Sequence, residues 1–350
     1  MSIKDEVLFI GVGQAGGNIC QLFEDKGYNV LCINTSKQDL DTLTVKHKYH
    51  IAQENGCSKQ RYLAKEYIKR DFDNIVEVLK KYIADAKIIF VAFSAGGGTG
   101  SGAGPALCKI LKRKYPSTTI CMITILPDVG ESFQANANAY ECFQDILKVS
   151  DSGACFVLDN AEFGNKLEIN QQFVNDFDDF IKIPELDKSI SSNIDVSEIY
   201  TALSAHNMAM IVSVPSTQNN MASLFSSVED SIFAKIEKDN IIKYLTLSLG
   251  DETILESEIK KECQKTFGTP IDSFVTYNQR NTNICMLSGL SYPATRLAEI
   301  ASYVEANKNL IVDDNNKLVL NADMSFLRKK SAKAISSDPD DIDDIWDEFM

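Results

Sequence analysis

Apolar runs and helically spaced stretches alternate along the first half of the chain. Val7-Leu8-Phe9-Ile10, Val30-Leu31-Cys32-Ile33, Ile88-Ile89-Phe90-Val91-Ala92-Phe93, Ile120 to Leu126 and Ala154-Cys155-Phe156-Val157-Leu158 read as short strands. They are nearly continuous in apolar residues, as strands buried on both faces are. Helical patterns lie between them: Ile19 to Asp25, Ile75 with Val78, Leu79 and Ile83, Ala106 to Lys112, and Ala135 to Leu147. Such alternation predicts a mostly parallel sheet with helices on both faces, and ligands at the carboxyl ends of its strands.

The pattern then changes. Asn170-Gln171-Gln172 opens a helix whose Phe173, Phe177, Phe180 and Ile181 recur at helical spacing. Beyond it, strands are expected at Met208 to Val214, Tyr244 to Leu249, Ser273 to Tyr277 and Ile284 to Leu290. Helices are expected near Leu224 to Ile236, over Glu256 to Thr266, and after Pro293, where Leu297, Ile300, Ala301 and Val304 share a face. The chain is therefore read as α/β: a Rossmann-like, mostly parallel domain over 1–168, a central connecting helix and linker over 169–192, a smaller α/β domain with a mixed sheet over 193–305, and an extension over 306–350.

Two glycine-rich turns follow strands and precede helices. The second, Ser94-Ala95-Gly96-Gly97-Gly98-Thr99-Gly100-Ser101-Gly102, places five glycines within seven positions. Without Cβ atoms, its backbone N–H groups are free to converge on one anion, beside the positive end of the next helix. It has no lysine, unlike a P-loop. Phosphate charge must then be met by N–H groups, hydroxyls such as that of Thr99, and Mg²⁺. The first turn, Gly11-Val12-Gly13-Gln14-Ala15-Gly16-Gly17-Asn18, fits the dinucleotide pattern G-x-G-x-x-G and raises an NAD(P)-dependent dehydrogenase as an alternative. That fold needs an acid at the end of the second strand, where this chain has Asn34-Thr35, with Asp39 and Asp41 only later.

The run Gly-Gly-Gly-Thr-Gly-Ser-Gly at 96–102 resembles the signature of the tubulin/FtsZ superfamily of GTPases. The resemblance covers roughly residues 7–300 and implies GTP/GDP and Mg²⁺ as ligands. It implies nucleotide contacts at Gly13, Gln14, Ala15, Gly16, Gly17, Asn18 and Asn34. It extends them to Gly96, Gly97, Gly98, Thr99, Gly100, Ser101, Glu131, Asn160 and Asn170, with Gln171 as the alternative to Asn170. Residues 53–61 stand where the family has its γ-phosphate-sensing loop, though an ordinary connection fits as well. FtsZ has an arginine where this chain has Ala135, leaving Gln134 or Asn138 to replace it. Ser192-Asn193-Ile194-Asp195-Val196-Ser197-Glu198-Ile199 resembles the FtsZ loop whose acids enter the next subunit's nucleotide site. Asn193, Asp195 and Glu198 are thus the catalytic candidates, while Asp-x-x-Glu is equally a helix capping box. No metal ligand is assigned from the protein.

Charge and cysteine content narrow the partners. With 35 basic and 49 acidic residues, the net charge of −14 argues against direct nucleic-acid binding. Nine cysteines without a Cys-x-x-Cys pair, several in apolar runs, read as buried thiols. No signal peptide and no membrane-length apolar run is seen, so a cytoplasmic protein with no membrane contact is expected. The tail 338–350 sets Ile342, Ile345, Trp346 and Phe349 among dense acids. With divergent loops, it points within the superfamily to TubZ-like filament GTPases of plasmids and phages, which segregate DNA through a DNA-binding adaptor. Self-assembly and that adaptor are the expected partners. A nucleotide-binding division scaffold without turnover is the remaining alternative.

Overall fold

The computed structural model describes residues 2–162, 165–190, 192–216, 220–237 and 240–308. Ten strands form one sheet in the order β3-β2-β1-β4-β5-β6-β7-β10-β8-β9. They are β1 (Val7–Val12), β2 (Asn29–Asn34), β3 (Lys48–His50), β4 (Ile88–Ser94), β5 (Thr119–Leu126), β6 (Ala154–Asp159), β7 (Asn207–Pro215), β8 (Ile242–Leu249), β9 (Pro270–Tyr277) and β10 (Thr282–Leu290). Pairing is parallel from β3 through β7, antiparallel on both sides of β10, and parallel again between β8 and β9. The first six strands follow the doubly wound order, in which the chain reverses direction between β1 and β4.

The larger helices are α1 (Gly13–Asp25), α3 (Arg61–Arg70), α4 (Phe72–Ile83), α5 (Thr99–Lys114), α6 (Phe133–Ile146) and α7 (Lys166–Ile181), with the short α2 (Lys37–Asp41) and α8 (Ile183–Leu186). They continue as α9 (Val196–Leu203), α10 (Met221–Glu229), α11 (Glu256–Thr266) and α12 (Ala294–Asn307). α1 packs with α7, whereas α5 packs with α3 and α6, and α6 with α12. Right-handed crossovers that run opposite ways from the β1/β4 boundary produce these two layers.

The apolar spacing in α7 serves an aromatic core. Phe173 and Phe177, one turn apart, meet Phe156 and Phe23 with ring centroids 5.2 and 5.4 Å apart, and Phe9 stacks on Phe23 at 3.7 Å. α7 opens four residues earlier than the sequence suggested, at Lys166, because Asn165 caps it by accepting from the Leu167 N–H. The expected boundary at 168/169 therefore falls inside α7, and Asn170 lies in its second turn. All nine cysteines are buried and free. No helix among the described residues is long and apolar enough to cross a membrane. The tail 338–350 lies outside the described residues.

Candidate nucleotide site

Both glycine turns leave the sheet at the reversal point, one from the carboxyl end of β1 and one from that of β4. They touch: a Cβ on Gly13, which has φ +75°, would lie 3.1 Å from the Gly100 nitrogen. Gly16 lets α1 press onto β4, since a Cβ there would stand 2.1 Å from the Ala92 carbonyl oxygen. Gly97 is different, for a Cβ there meets nothing within 4 Å. The floor of the glycine run is closed and one position opens outward, as a cradle for a ligand requires.

The second turn is shorter than the sequence implied. α5 starts at Thr99, so Gly100, Ser101, Gly102 and Gly104 are helical and only Gly96 to Gly98 form the loop. Its carbonyls are all held from the protein side. The Asn138 amide donates to Gly96 O at 3.2 Å and Gly97 O at 3.1 Å. The Ser101 hydroxyl donates to Gly97 O, and Gly102 N to Gly98 O at 3.1 Å. With the carbonyls occupied, the N–H groups at the start of α5 face the mouth without intrahelical partners.

Two expectations about hydroxyls and amides are corrected here. Thr99 turns its hydroxyl inward to Thr35 Oγ1 at 2.7 Å and Cys57 Sγ at 3.3 Å, which leaves its backbone N–H as its contribution to the cradle. Asn138 is no stand-in for the family arginine. Its amide also donates to Lys59 O at 2.9 Å, and its oxygen accepts from Gln134. It is buried behind the loop and braces it.

The other candidates line the same end of the sheet. Gln14 is exposed, and Ala15 and Asn18 are half-buried, at the start of α1; Gly17 sits over Leu43. Asn34 closes the β2–α2 turn, accepting from Ser36 N at 3.2 Å and donating to Asp39 at 3.3 Å. Glu131 and Asn160 converge: Glu131 Oε1 accepts from Lys166 at 2.7 Å and from Asn160 at 3.5 Å. Asn170 is 7% exposed, whereas Gln171 is exposed and donates to Asn175.

Residues 6–168 match the family described as Tubulin/FtsZ family, GTPase domain. The chain carries a tubulin/FtsZ-family GTPase domain. The tubulin-like protein TubZ of Clostridium botulinum C phage is 28% identical, over 99% of this chain and all of the relative. The structure of tail-truncated TubZ from Clostridium botulinum phage c-st superposes with TM-score 0.79 at 27% identity, covering 88% of this chain and 99% of that one. A GTPγS-form protofilament of Bacillus thuringiensis TubZ shares the fold, with TM-score 0.74 at 16% identity over 87% and 92% of the two chains.

The acids lie away from this loop cluster. α9 packs at the amino ends of the parallel strands. Tyr200 donates to Glu6 just before β1, Lys87 just before β4 pairs with Glu6 at 2.6 Å, and Cys121 near the start of β5 donates to Leu203 O at 3.4 Å. β4 alone separates its two ends by about 20 Å at ~3.3 Å per residue. Asp195 caps α9, accepting from Glu198 N at 3.0 Å and Ser197 Oγ at 2.7 Å, while Glu198 accepts from Asp195 N at 2.9 Å. The Ser197 hydroxyl and the Glu198 N–H hold the Asp195 carboxyl below its usual range. Asn193 bonds both ways with the Ser189 backbone, which closes the loop before the cap.

Sequence reasoning missed two buried arginines near the tubulin/FtsZ glycine loop. Arg61 donates to Ser101 O at 3.0 Å and pairs with Asp145 at 2.6 Å and Glu141 at 2.7 Å. Burial pushes the Asp145 carboxyl up, but Arg61 and Lys65 outweigh it and hold it low. Arg296 of α12 pairs with fully buried Asp159 at 2.6 Å and donates to Pro127 O at 2.7 Å, clamping the carboxyl ends of β5 and β6. Nothing local in the sequence marks either pair, because the partners lie 84 and 137 residues apart.

Proposed function

We propose that the chain is a GTPase that assembles head to tail, binding GTP at its two glycine turns. Asp195 and Glu198 of the next subunit complete hydrolysis. The observation that carries this is the placement of turns and acids at opposite ends of the same strands. One chain cannot bring them together, while a repeated end-to-end contact brings every pair together and generates an open filament. The protofilament form of Bacillus thuringiensis TubZ supports the same reading. The carboxylates of Asp195 and Glu198 would orient water, with backbone N–H groups and Mg²⁺ offsetting charge on the phosphates. Among the described residues no group of three or more His, Cys, Asp or Glu side chains could hold a metal ion. Phosphate oxygens and water would therefore supply most ligands of Mg²⁺.

Electron microscopy with and without GTP and Mg²⁺, beside turnover as a function of protein concentration, tests this. Filaments with GTP and a more than linear rise in turnover are expected. Preferential binding of NAD in calorimetric titration would overturn it, and filaments without turnover would favour the scaffold alternative. DNA segregation through a DNA-binding adaptor held by the acidic tail 338–350 is the finer proposal, supported by the tail's apolar residues among acids. Deleting 338–350 should leave assembly intact and abolish co-pelleting of adaptor and its DNA site. Equal co-pelleting would remove the tail from the proposal.

A further inference from the structure

A guanidinium from the second half of the chain lies behind the nucleotide site. Arg296, in the first turn of α12, is 7% exposed and spends its donors on two neighbouring strand ends. Its Nε donates to Asp159 Oδ2 at 2.6 Å, and its Nη2 donates to Asp159 Oδ1 at 3.2 Å and to Pro127 O at 2.7 Å. Its Nη1 leans on Glu299 of its own helix at 3.5 Å. Asp159 is the last residue of β6 and is fully buried, and Pro127 directly follows β5.

Each of these strand ends leads into a residue on the site side. Beyond Pro127 the chain turns, with Gly130 N donating to Asp128 Oδ1 at 2.8 Å and Glu131 N to Asp128 O at 2.9 Å, and delivers Glu131. Beyond Asp159 it turns through Asn160. The Ala161 N–H donates to Asp159 Oδ1 at 3.0 Å, so the carboxylate that Arg296 holds also fixes this second turn. Asn160 N in turn donates to Leu126 O at 3.2 Å. Glu131 and Asn160 are both half-buried, and the Asn160 amide donates to Glu131 Oε1 at 3.5 Å.

These two side chains suit a nucleoside and not a phosphate. A carboxylate repels phosphate but accepts from the hydroxyls of a ribose, and an amide offers both donor and acceptor to a purine edge. The glycine run is adjacent, because a Cβ on Gly96 would lie 3.4 Å from the Pro127 Cβ. A nucleotide whose phosphates rest on the run therefore has the ends of β5 and β6 beside its sugar and base. Arg296 reaches Glu131 and Asn160 only through Pro127 and Asp159.

We infer that Arg296 is a positioning residue for the nucleoside. Its planar fork holds the β5 and β6 turns in register, so that Glu131 and Asn160 face the ligand together and α12 sets base and sugar selectivity from the other half of the chain. This rests on the glycine turns binding GTP. A lysine keeps the charge opposite Asp159 but is a single point donor, which cannot hold both turns as the fork does.

The test is calorimetric titration of GTP, GDP, inosine triphosphate and 2′-deoxy-GTP into the full chain, kept below the concentration at which light scattering reports assembly. Wild type is compared with Arg296→Lys and Asp159→Asn, each checked by thermal melting. The control is Arg280→Lys, which weakens a pair with buried Asp187 away from the site. Wild type should prefer GTP to the inosine and deoxy analogues. Arg296→Lys should shrink both preferences at least about threefold and weaken GTP and GDP by the same factor, since they share the nucleoside. Asp159→Asn keeps an acceptor for the Ala161 N–H but breaks the fork, and should do likewise. Arg280→Lys should lower the melting temperature and leave the preferences alone. Unchanged preferences in a less stable Arg296→Lys would make Arg296 a structural clamp and overturn the inference. A loss confined to GTP over GDP would overturn it too, as would a wild type that takes all three triphosphates equally. Wild type that takes no guanine nucleotide would bring down the GTP reading first.

Discussion

The two ends of the parallel strands differ in how their polar groups are satisfied. At the carboxyl ends, the carbonyls of Gly96 to Gly98 are held by Asn138, Ser101 and Gly102, and donors at the start of α5 face outward. At the amino ends, Asp195 and Glu198 satisfy one another's backbone N–H groups as a complete capping box. One end is a donor surface prepared for an anion. The other presents an exposed Asp195 and a half-buried Glu198 that hold a helix start, with oxygen lone pairs left for water. In the proposed reading each end is half of a hydrolytic site, and the capping box need not compete with catalysis because a carboxylate has about four acceptor directions.

The sharpest way to break this comparison is Asp195→Asn. Asparagine caps a helix about as well as aspartate, so stability should change by less than ~0.5 kcal/mol. The carboxylate is lost, and GTP turnover by filaments should fall at least about a hundredfold with monomer GTP affinity unchanged. Unaltered turnover would reduce Asp195 to a cap.

The next effect concerns what holds the carboxyl end rigid. Arg61→Ala strips the buried Asp145 of its closest cation and releases the Ser101 carbonyl. Urea denaturation should show a loss of about 3 kcal/mol, the range for breaking a buried pair. Its counterpart near the amino end, Lys4→Ala, should cost less. Asp178 keeps Lys182 and the Tyr28 hydroxyl, and Lys4 is itself partly exposed.

A pH-dependent effect lies between the two ends. Asp176 of α7 borders a cavity of about 410 Å³ shared with Ser213 of β7 and Ser227 of α10. Burial pushes its carboxyl up to about 8, against the lowering effect of the Gln172 amide and a backbone hydrogen bond from Ser213. A carboxyl whose folded pKa is raised binds its proton more tightly when folded. Its stabilising contribution is complete below about pH 4 and is lost as pH rises through about 8. Thermal melts should therefore fall between these values, and Asp176→Asn should flatten that slope. An unchanged slope would place the proton elsewhere.

Much of this architecture was legible before any coordinates. Continuous apolar runs such as Ile88 to Phe93 require burial on both faces, and Phe173 and Phe177 fall one turn apart whatever the fold. The edges were less legible. α7 begins at Lys166 because a side-chain cap at Asn165 outweighs the apolar periodicity that starts later. The Thr99 hydroxyl turns inward because Thr35, 64 residues earlier, offers it a partner. Asn138 looked like a ligand residue and is a brace, since three carbonyls from two segments converge on its amide.

By itself, the sequence determined nine of the ten strands, the longer helices, the two glycine turns and the Asp195–Glu198 cap. Each of these rests on backbone conformation and on contacts between residues a few positions apart. Only the tertiary structure decided which end of the sheet each motif occupies. Strand direction and right-handed crossovers carry both glycine turns to one end, and the α7 passage carries the acids to the other. The buried pairs of Arg61 and Arg296 belong to the same class, because an ion pair depends on distance in space and leaves no periodic trace along a chain.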